Sequence, residues 1–403
     1  MVKNEIFKKK ELLEKIIIII SLIVSITPAM FKYYYDLPYL LIIFYICIKI
    51  INQKIKKGFY FFLFFIFLFI ILKFFLDKIG LSSFQGLHKA LSDLRFLFFF
   101  VFTILICKEK NFDKIIWFSI LIIVLINLLF TLFAYFEPNL YRKIIQLYFG
   151  NYYFVPSTGI PLSLTAFNQG GRITGIMQLP IFCGTFFITL SYLSLLHYRY
   201  LNLNFLAFLL ANILFLFFII SAGSSVIHLY PFILLVYLLL RFQISIVTLM
   251  FLGFLIIMII ILSSILMNQE ENLLLFVNRD LLGERFMEHR QMYQAWSRID
   301  VSFMDILIGF SPADKGEYGK GFDDMAYNSR IVFGGTTYVT YFYIMVFYMF
   351  YENFKDLWRL WTPLFMTGLL VDFGGSFFSI PHFGWIMIIS IVYTLSQLKK
   401  KIR

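Results

Sequence analysis

From Ile16 to Leu395 the chain is a succession of apolar runs, each approaching the length of a bilayer crossing. A hydrocarbon core of roughly 30 Å needs about 20 helical residues to cross it. Twelve candidate spans can be drawn: 16–31, 37–51, 59–76, 94–107, 115–136, 174–196, 204–222, 224–240, 243–267, 334–351, 360–376 and 380–395. The fourth and eighth are short or poorly separated from their neighbours. The expectation is an all-α polytopic membrane protein of about twelve transmembrane helices (range 10–12), forming one integral membrane domain over 1–403. Composition agrees. Hydrophobic residues make up 61% of the chain and mean hydropathy is +0.84, where a soluble domain is about 45–50% apolar.

The positions of the charges set an orientation. A net charge of +12 invites a nucleic-acid reading, but most bases flank apolar runs, as topology signals do. Alternate short segments carry Lys49/Lys54/Lys56/Lys57, Lys108/Lys110/Lys114, Arg199, Arg241, Lys355/Arg359 and Lys399/Lys400/Lys401/Arg403. With the N-terminal lysines they hold more than half of the 35 Lys and Arg residues. Short basic segments stay in the cytoplasm, so both termini are expected there. Lys3, Lys8, Lys9, Lys10 and Lys15 before an apolar stretch resemble a signal peptide. Thr27-Pro28-Ala29-Met30 is a poor cleavage site, however, and an uncleaved first helix is expected. Cys47, Cys107 and Cys183 have neither zinc nor disulfide spacing and read as small packing residues.

Two long segments fall on the outer side. The first, 137–173, is net cationic through Arg142, Lys143 and Arg172. The second, 268–333, is net acidic, with eleven carboxylates against seven bases, and five of those bases are Arg279, Arg285, Arg290, Arg298 and Arg330. A guanidinium fork matches phosphate oxygens two at a time. An arginine just outside a bilayer is therefore placed to hold a lipid phosphate, and the competing reading is a salt bridge to neighbouring carboxylates. Glu284–Asp300 reads as an amphipathic helix, with Met292, Ala295, Trp296 and Ile299 on one face and Arg290, Gln294 and Arg298 on another. Eight residues rise about 12 Å, too far for Arg290 and Arg298 to grip one phosphate head-on. Gly170-Gly171-Arg172 sits where the first long segment re-enters the membrane. Arg172 at a helix start would add its charge to free backbone N–H groups.

Other features carry less. Gly316–Asp324 contains G-x-x-G-x-G without the strand and helix that a nucleotide site needs, and reads as a loop. Asp323 and Asp324 read as solvated carboxylates before they read as cation ligands. Asp372 and His382 border a short outer turn and His228 opens the eighth span. Each is a functional candidate by default, against simple snorkelling to the interface. Lys73 reads as a snorkelling lysine. No G-x-S-x-G or H-E-x-x-H motif is present.

The layout resembles the bacterial O-antigen polymerase family and, more distantly, the O-antigen ligases. Three places carry the likeness. Gly171-Arg172-Ile173-Thr174-Gly175, followed by Pro180 and Gly184, is similar to the family's R-x-x-G motif. Arg290-Gln291-Met292-Tyr293-Gln294-Ala295-Trp296, ending at Ile308-Gly309-Phe310, is similar to the opening of the large outer loop; Arg298 and Gly309 keep a spacing described for polymerases. Asp324-Met325-Ala326-Tyr327-Asn328, then Gly334-Gly335, is similar to that loop's exit. Ligases place a histidine where Tyr327 stands, which favours polymerase. Relatives often carry Ser-Arg between the seventh and eighth spans, where this chain has Ser224-Ser225.

The resemblance implies a membrane-embedded glycosyltransferase, GT-C-like in fold, with no cofactor and no metal. Its substrate would be an oligosaccharide carried on undecaprenyl pyrophosphate. Its partners would be the bilayer and, where one operates, a chain-length regulator protein, with no nucleic acid. Arg172 and Arg290, then Arg298, would hold the pyrophosphate. Asp324, Asp323 and His289 are the candidate bases. Tyr293, Trp296 and Tyr327 would stack on sugars. The alternatives are an O-antigen ligase, a flippase or other transporter of lipid-linked oligosaccharide, and a non-catalytic membrane subunit.

Overall fold

Isoleucine-rich and phenylalanine-rich runs incline to strands in water. Here they form helices, which satisfy their own backbone groups. The structure is a computed structural model and describes residues 2–26, 37–51, 57–78, 87–107, 112–149, 164, 167–168, 171–177, 179–242, 303–309, 326–374, 377–378 and 383–402. Helices among them are α1 (Val2–Ile26), α2 (Leu37–Ile51), α3 (Lys57–Lys78), α4 (Leu87–Ile106), α5 (Phe112–Phe136), α6 (Pro138–Phe149), α7 (Pro180–Tyr200), α8 (Phe205–Ser221), α9 (Leu229–Phe242), α10 (Phe303–Ile308), α11 (Ala326–Phe354), α12 (Trp358–Gly374) and α13 (Phe383–Ile402). Short 3-10 turns cover Ser225–His228 and Lys355–Leu357. No strand occurs among the described residues.

Helices lie at eleven of the twelve expected spans, and 243–267 falls outside the described residues. By length and composition two of the described helices suffice to cross a membrane: Lys114–Phe136, of mean hydropathy 2.8, and Pro180–Tyr200, at 1.4. Leu37–Ile48, Phe205–Ser221 and Leu229–Arg241 are apolar but shorter. Several boundaries differ from expectation. α4 starts at Leu87 rather than 94, α7 starts at Pro180 rather than 174, and the first long segment opens with the helix α6.

The last helix, α13, sits at the centre, packed against α1, α4, α5, α7 and α11. Its side chains from Trp385 to Leu395 are buried on every face, the pattern of a helix enclosed by others. Trp385 stacks on Phe99 of α4, ring centroids 5.2 Å apart, while Trp361 of α12 stacks on Phe350 of α11 at 5.5 Å. Hydroxyls inside the bundle bond back to their own helices: Ser21 to Ile17, Thr103 to Phe99, Ser119 to Ile115 and Thr189 to Thr185, each at 2.8 Å. That leaves no partner to find across an apolar interface. Asn212 of α8 reaches its neighbours. Its amide donates to Ser194 Oγ of α7 at 2.8 Å and its carbonyl accepts from Tyr230 of α9 at 3.3 Å, tying three helices together by polar contacts.

Lysines mark one end of the bundle. Lys399 donates to the Asn353 carbonyl, Lys400 to the Cys107 carbonyl and Lys401 to Asn202 Oδ1. Arg241 donates to the hydroxyls of Tyr200 at 2.6 Å and Tyr237 at 3.1 Å. The ends of α4, α7, α9, α11 and α13 therefore meet there. The outer faces are apolar: Phe118, Leu121, Leu125 and Leu129 on α5, and Leu206, Leu210 and Ile213 on α8, are all exposed. Cys107 and Cys183 are buried as small packing residues, whereas Cys47 is exposed.

Interior and exterior should respond differently to truncation. Trp361 is 1% exposed and donates its Nε1–H to the Phe354 carbonyl at 3.0 Å. Trp361→Ala should cost about 3–5 kcal/mol, and Leu129→Ala, on the exposed face of α5, should stay within about 0.5 kcal/mol. Thermal midpoints of the purified variants in one detergent compare the two.

Candidate functional site

The end of the bundle opposite the lysines holds the irregular backbone and the buried charge. Residues 171–177 form a non-helical segment ahead of α7. Each turn of it is held by a specific bond. The Ile173 N–H donates to the Ser221 carbonyl at 2.7 Å, closing the segment onto the end of α8. The Ile176 N–H donates to Asn127 Oδ1 of α5 at 3.2 Å. Gly175 has φ +56°, and a Cβ on it would collide with the Asn127 side chain, so no other residue fits beside that bond. Ile173 to Met177 are buried. Tyr141 of α6 is also buried, lying against Thr174 and Gly175. Its burial pushes the phenol well above its ordinary range, so it remains a protonated donor.

Arg172 rides on this segment, half-buried. Its stem lies over the turn between α8 and α9: a Cβ built on Gly223 would stand 3.1 Å from Arg172 Cγ and 3.5 Å from its Nε. The neighbouring Ser224 Oγ accepts from the Val226 N–H at 3.4 Å. Gly184 of α7 leaves room for Ser224, which a Cβ there would strike. The turn at Gly223 is thus the support on which the Arg172 stem lies. One expectation is overturned. Arg172 is not at a helix start, because Pro180 occupies the first turn of α7. Proline fixes φ for a first turn and lacks the N–H a helix interior needs, so the helix begins there. The Ile173 and Ile176 N–H groups are spent on Ser221 and Asn127.

The second feature is a buried charge cluster. Arg330, in the first part of α11, and Asp93 of α4 and Asp372 of α12 are all fully buried. Arg330 Nη2 and Nε donate to Asp93 Oδ1 and Oδ2 at 2.9 and 3.0 Å, a two-pronged grip. Its Nη1 donates to Asp372 Oδ2 at 2.7 Å and to Tyr343 at 2.8 Å. Tyr343 and Tyr338 donate to Asp372 and Asp93 at 2.9 and 3.2 Å. The guanidinium lies 3.9 Å from the Phe342 ring centre, a cation–π contact. On a straight helix Arg330 and Phe342 would be about 18 Å apart along the axis. They meet because α11 breaks at Gly335, where φ is +64° and ψ −167°.

These contacts decide two readings. For Arg330, weighed between a phosphate contact and a salt bridge, the salt bridge holds: it is enclosed and its donors serve two aspartates. Asp372, a functional candidate weighed against snorkelling to an interface, does not snorkel: it is wholly buried and ion-paired. Sequence reasoning missed Asp93, which stands one residue outside the expected fourth span. The available signal was two aspartates and an arginine at the same ends of three spans. Tyr327 lies three residues before Arg330 in α11, with only its backbone described. Arg290, Arg298, His289, Tyr293, Trp296, Asp323 and Asp324 lie outside the described residues, as does the helix expected at 284–300. His228 closes the 3-10 turn that follows Ser224.

Comparison of the chain with protein-family models, with curated proteins and with solved structures finds no match.

Removing one member of a buried charge group leaves the others without compensation. Arg330→Ala, which strands Asp93 and Asp372, should cost about 3–5 kcal/mol, and Tyr343→Phe about 1 kcal/mol. Thermal midpoints measure both. An Arg330→Ala loss no larger than that of Tyr343→Phe would show that the cluster does not hold α4, α11 and α12 together.

Proposed function

We propose that this chain is a polytopic membrane glycosyltransferase of the O-antigen polymerase type, joining oligosaccharide repeat units carried on a lipid pyrophosphate at the outer face of a bacterial inner membrane. The single observation that carries the proposal is Arg172. It is a half-buried cation on an irregular segment packed against α5, α6 and α8, at the bundle end opposite the lysines. Irregular backbone at the end of apolar helices persists only where protein encloses it, and this segment bonds to Ser221 and Asn127. A bilayer accounts for the exposed Phe and Leu side chains of α3, α5 and α8; a soluble exterior of that kind would aggregate. The gathering of lysines at one end supports cytoplasmic termini. The sequence likeness around Arg172, Arg290 and Tyr327 supplies the chemistry.

In that chemistry an acceptor hydroxyl attacks the anomeric carbon of the growing chain. The glycosidic C–O bond forms as the bond to the lipid pyrophosphate breaks, and the hydroxyl proton passes to a base. Charge gathers on the departing phosphate oxygens, and arginines fixed beforehand stabilise it without reorganising. Arg172 and Arg290 have that role in this reading, with Arg298 next. Asp324, Asp323 and His289 are the candidate bases, and Tyr293, Trp296 and Tyr327 the sugar-stacking side chains. Arg330 belongs to the scaffold that fixes the start of α11.

Deletion of the gene gives the direct test. Lipopolysaccharide on a gel should keep core plus a single repeat unit and lose its ladder. Loss of the single unit as well would favour ligase or flippase, and an unchanged ladder would overturn the reading. A second test is residue-specific. Arg172→Ala and Arg290→Ala should each slow polymerisation about 10²-fold or more, the loss seen when a transition-state donor is removed. Full ladders from both variants, at wild-type membrane levels, would refute the pyrophosphate assignment.

A further inference from the structure

Towards the lysine end, α5, α7 and α8 surround a cavity of ≈ 450 Å³. That lies within the roughly 300–1,000 Å³ of small-molecule sites. Trp117 and Leu121 of α5 form one wall and Ala207, Leu210 and Ala211 of α8 the other. The two alanines leave the space that larger side chains would fill. Leu121 and Leu210 are 50% and 58% exposed, so the cavity opens sideways, through apolar lips, onto the apolar exterior.

Its serine and its histidine are engaged elsewhere. Ser194 Oγ donates to the Ser191 carbonyl at 2.7 Å and accepts from Asn212 at 2.8 Å. His197 Nε2 meets Thr394 Oγ1 at 3.1 Å, and Trp117 packs edge-on to the His197 ring. The wall presented to an occupant is therefore apolar, and an apolar cavity of this kind holds hydrocarbon rather than water. Cations mark its lysine-end rim. Lys114 precedes Trp117, Leu121 and Val124 by three, seven and ten residues, on the same face of α5. Lys401 bonds Asn202, next to the lining residue Leu203, and both lysines are exposed.

We infer that this cleft is a binding site for an anionic phospholipid, one acyl chain lying between α5 and α8 and the headgroup phosphate held by Lys114 and Lys401. The inference rests on the membrane placement in the proposed function and not on the glycosyl transfer. Arg172 belongs to the opposite end of α7, so this site is separate from the candidate active site.

Native mass spectrometry tests it on the full chain, purified from lipid nanodiscs containing equal phosphatidylglycerol and phosphatidylcholine. Wild type should retain one phosphatidylglycerol in preference to phosphatidylcholine. Ala211→Trp, which fills the cavity, should retain neither. Lys114→Ala and Lys401→Ala, both at exposed positions, should each reduce the preference about fivefold while leaving phosphatidylcholine binding in place. The lysine variants decide the matter should Ala211→Trp fail to fold. Equal retention of the two lipids by wild type, an unchanged preference in the lysine variants, or a co-purified isoprenoid lipid in place of phospholipid would overturn the inference. A carbonate wash separates the two levels. A chain released by it refutes the membrane placement and this site together. A chain that resists it, supports a ladder and retains no phosphatidylglycerol refutes this site alone.

Discussion

The Arg330 fork closes the bundle at one end, and its strength depends on what surrounds it. A guanidinium and two carboxylates with no exposure interact through a poor dielectric, where an unpaired charge is far more costly than a pair is favourable. Pulling α4, α11 or α12 away from the others would strand at least one charge. Hydrophobic residues of equal volume would pack as stably, but they would not fix which faces of the three helices meet. The fork does so geometrically: two donors aim at Asp93, one at Asp372, and a ring sits beneath the guanidinium. The break at Gly335 belongs to the same device, because without it Arg330 would lie far from Phe342 and Tyr343.

The same rule governs the Arg172 segment with the opposite outcome. There too polar groups end inside the protein, through the bonds to Ser221 and Asn127. What differs is the arginine. Arg330 is sealed and its donors face carboxylates, whereas Arg172 is half-buried and its stem is carried on the Gly223 turn. Two arginines that read alike in sequence thus fall into separate roles by burial. A sealed arginine sets helix register. A half-buried one, carried on the Gly223 turn, is the arginine that the proposed function assigns to a phosphate.

Helix positions were largely legible because apolar runs report burial in lipid or protein directly. Their ends were less so. The 174–196 span was drawn from hydropathy, which does not register that Pro180 starts the helix or that Gly175 requires a positive φ. The helix α6 went unread although Tyr141, Ile144, Ile145 and Tyr148 fall at helical spacing on its enclosed face, because the segment from 137 to 173 was read through its net charge as a connecting loop. Arg172 could be found, since its glycine neighbours and its place at a membrane re-entry are local signals. The Asp93–Arg330–Asp372 cluster could not. Its members are 237 and 42 residues apart along the chain, and charge at a span end reads as snorkelling unless a partner is known.

The two ends of the bundle are built on different principles. At the lysine end Lys399 and Lys400 reach backbone carbonyls, satisfying helix ends that would otherwise lack partners. Cations at helix C-termini also match the dipole there, so this end is held by short-range contacts that leave room for an apolar cleft between α5 and α8. The opposite end must hold irregular segments in place, and does so with a buried ion cluster and side-chain bonds to backbone. Those bonds lie beside Arg172 and at Arg330 in the first part of α11. A cation that stabilises a departing pyrophosphate works only if it is already in position when the charge develops. On the proposed function, the end that carries Arg172 is the end assigned to that reaction.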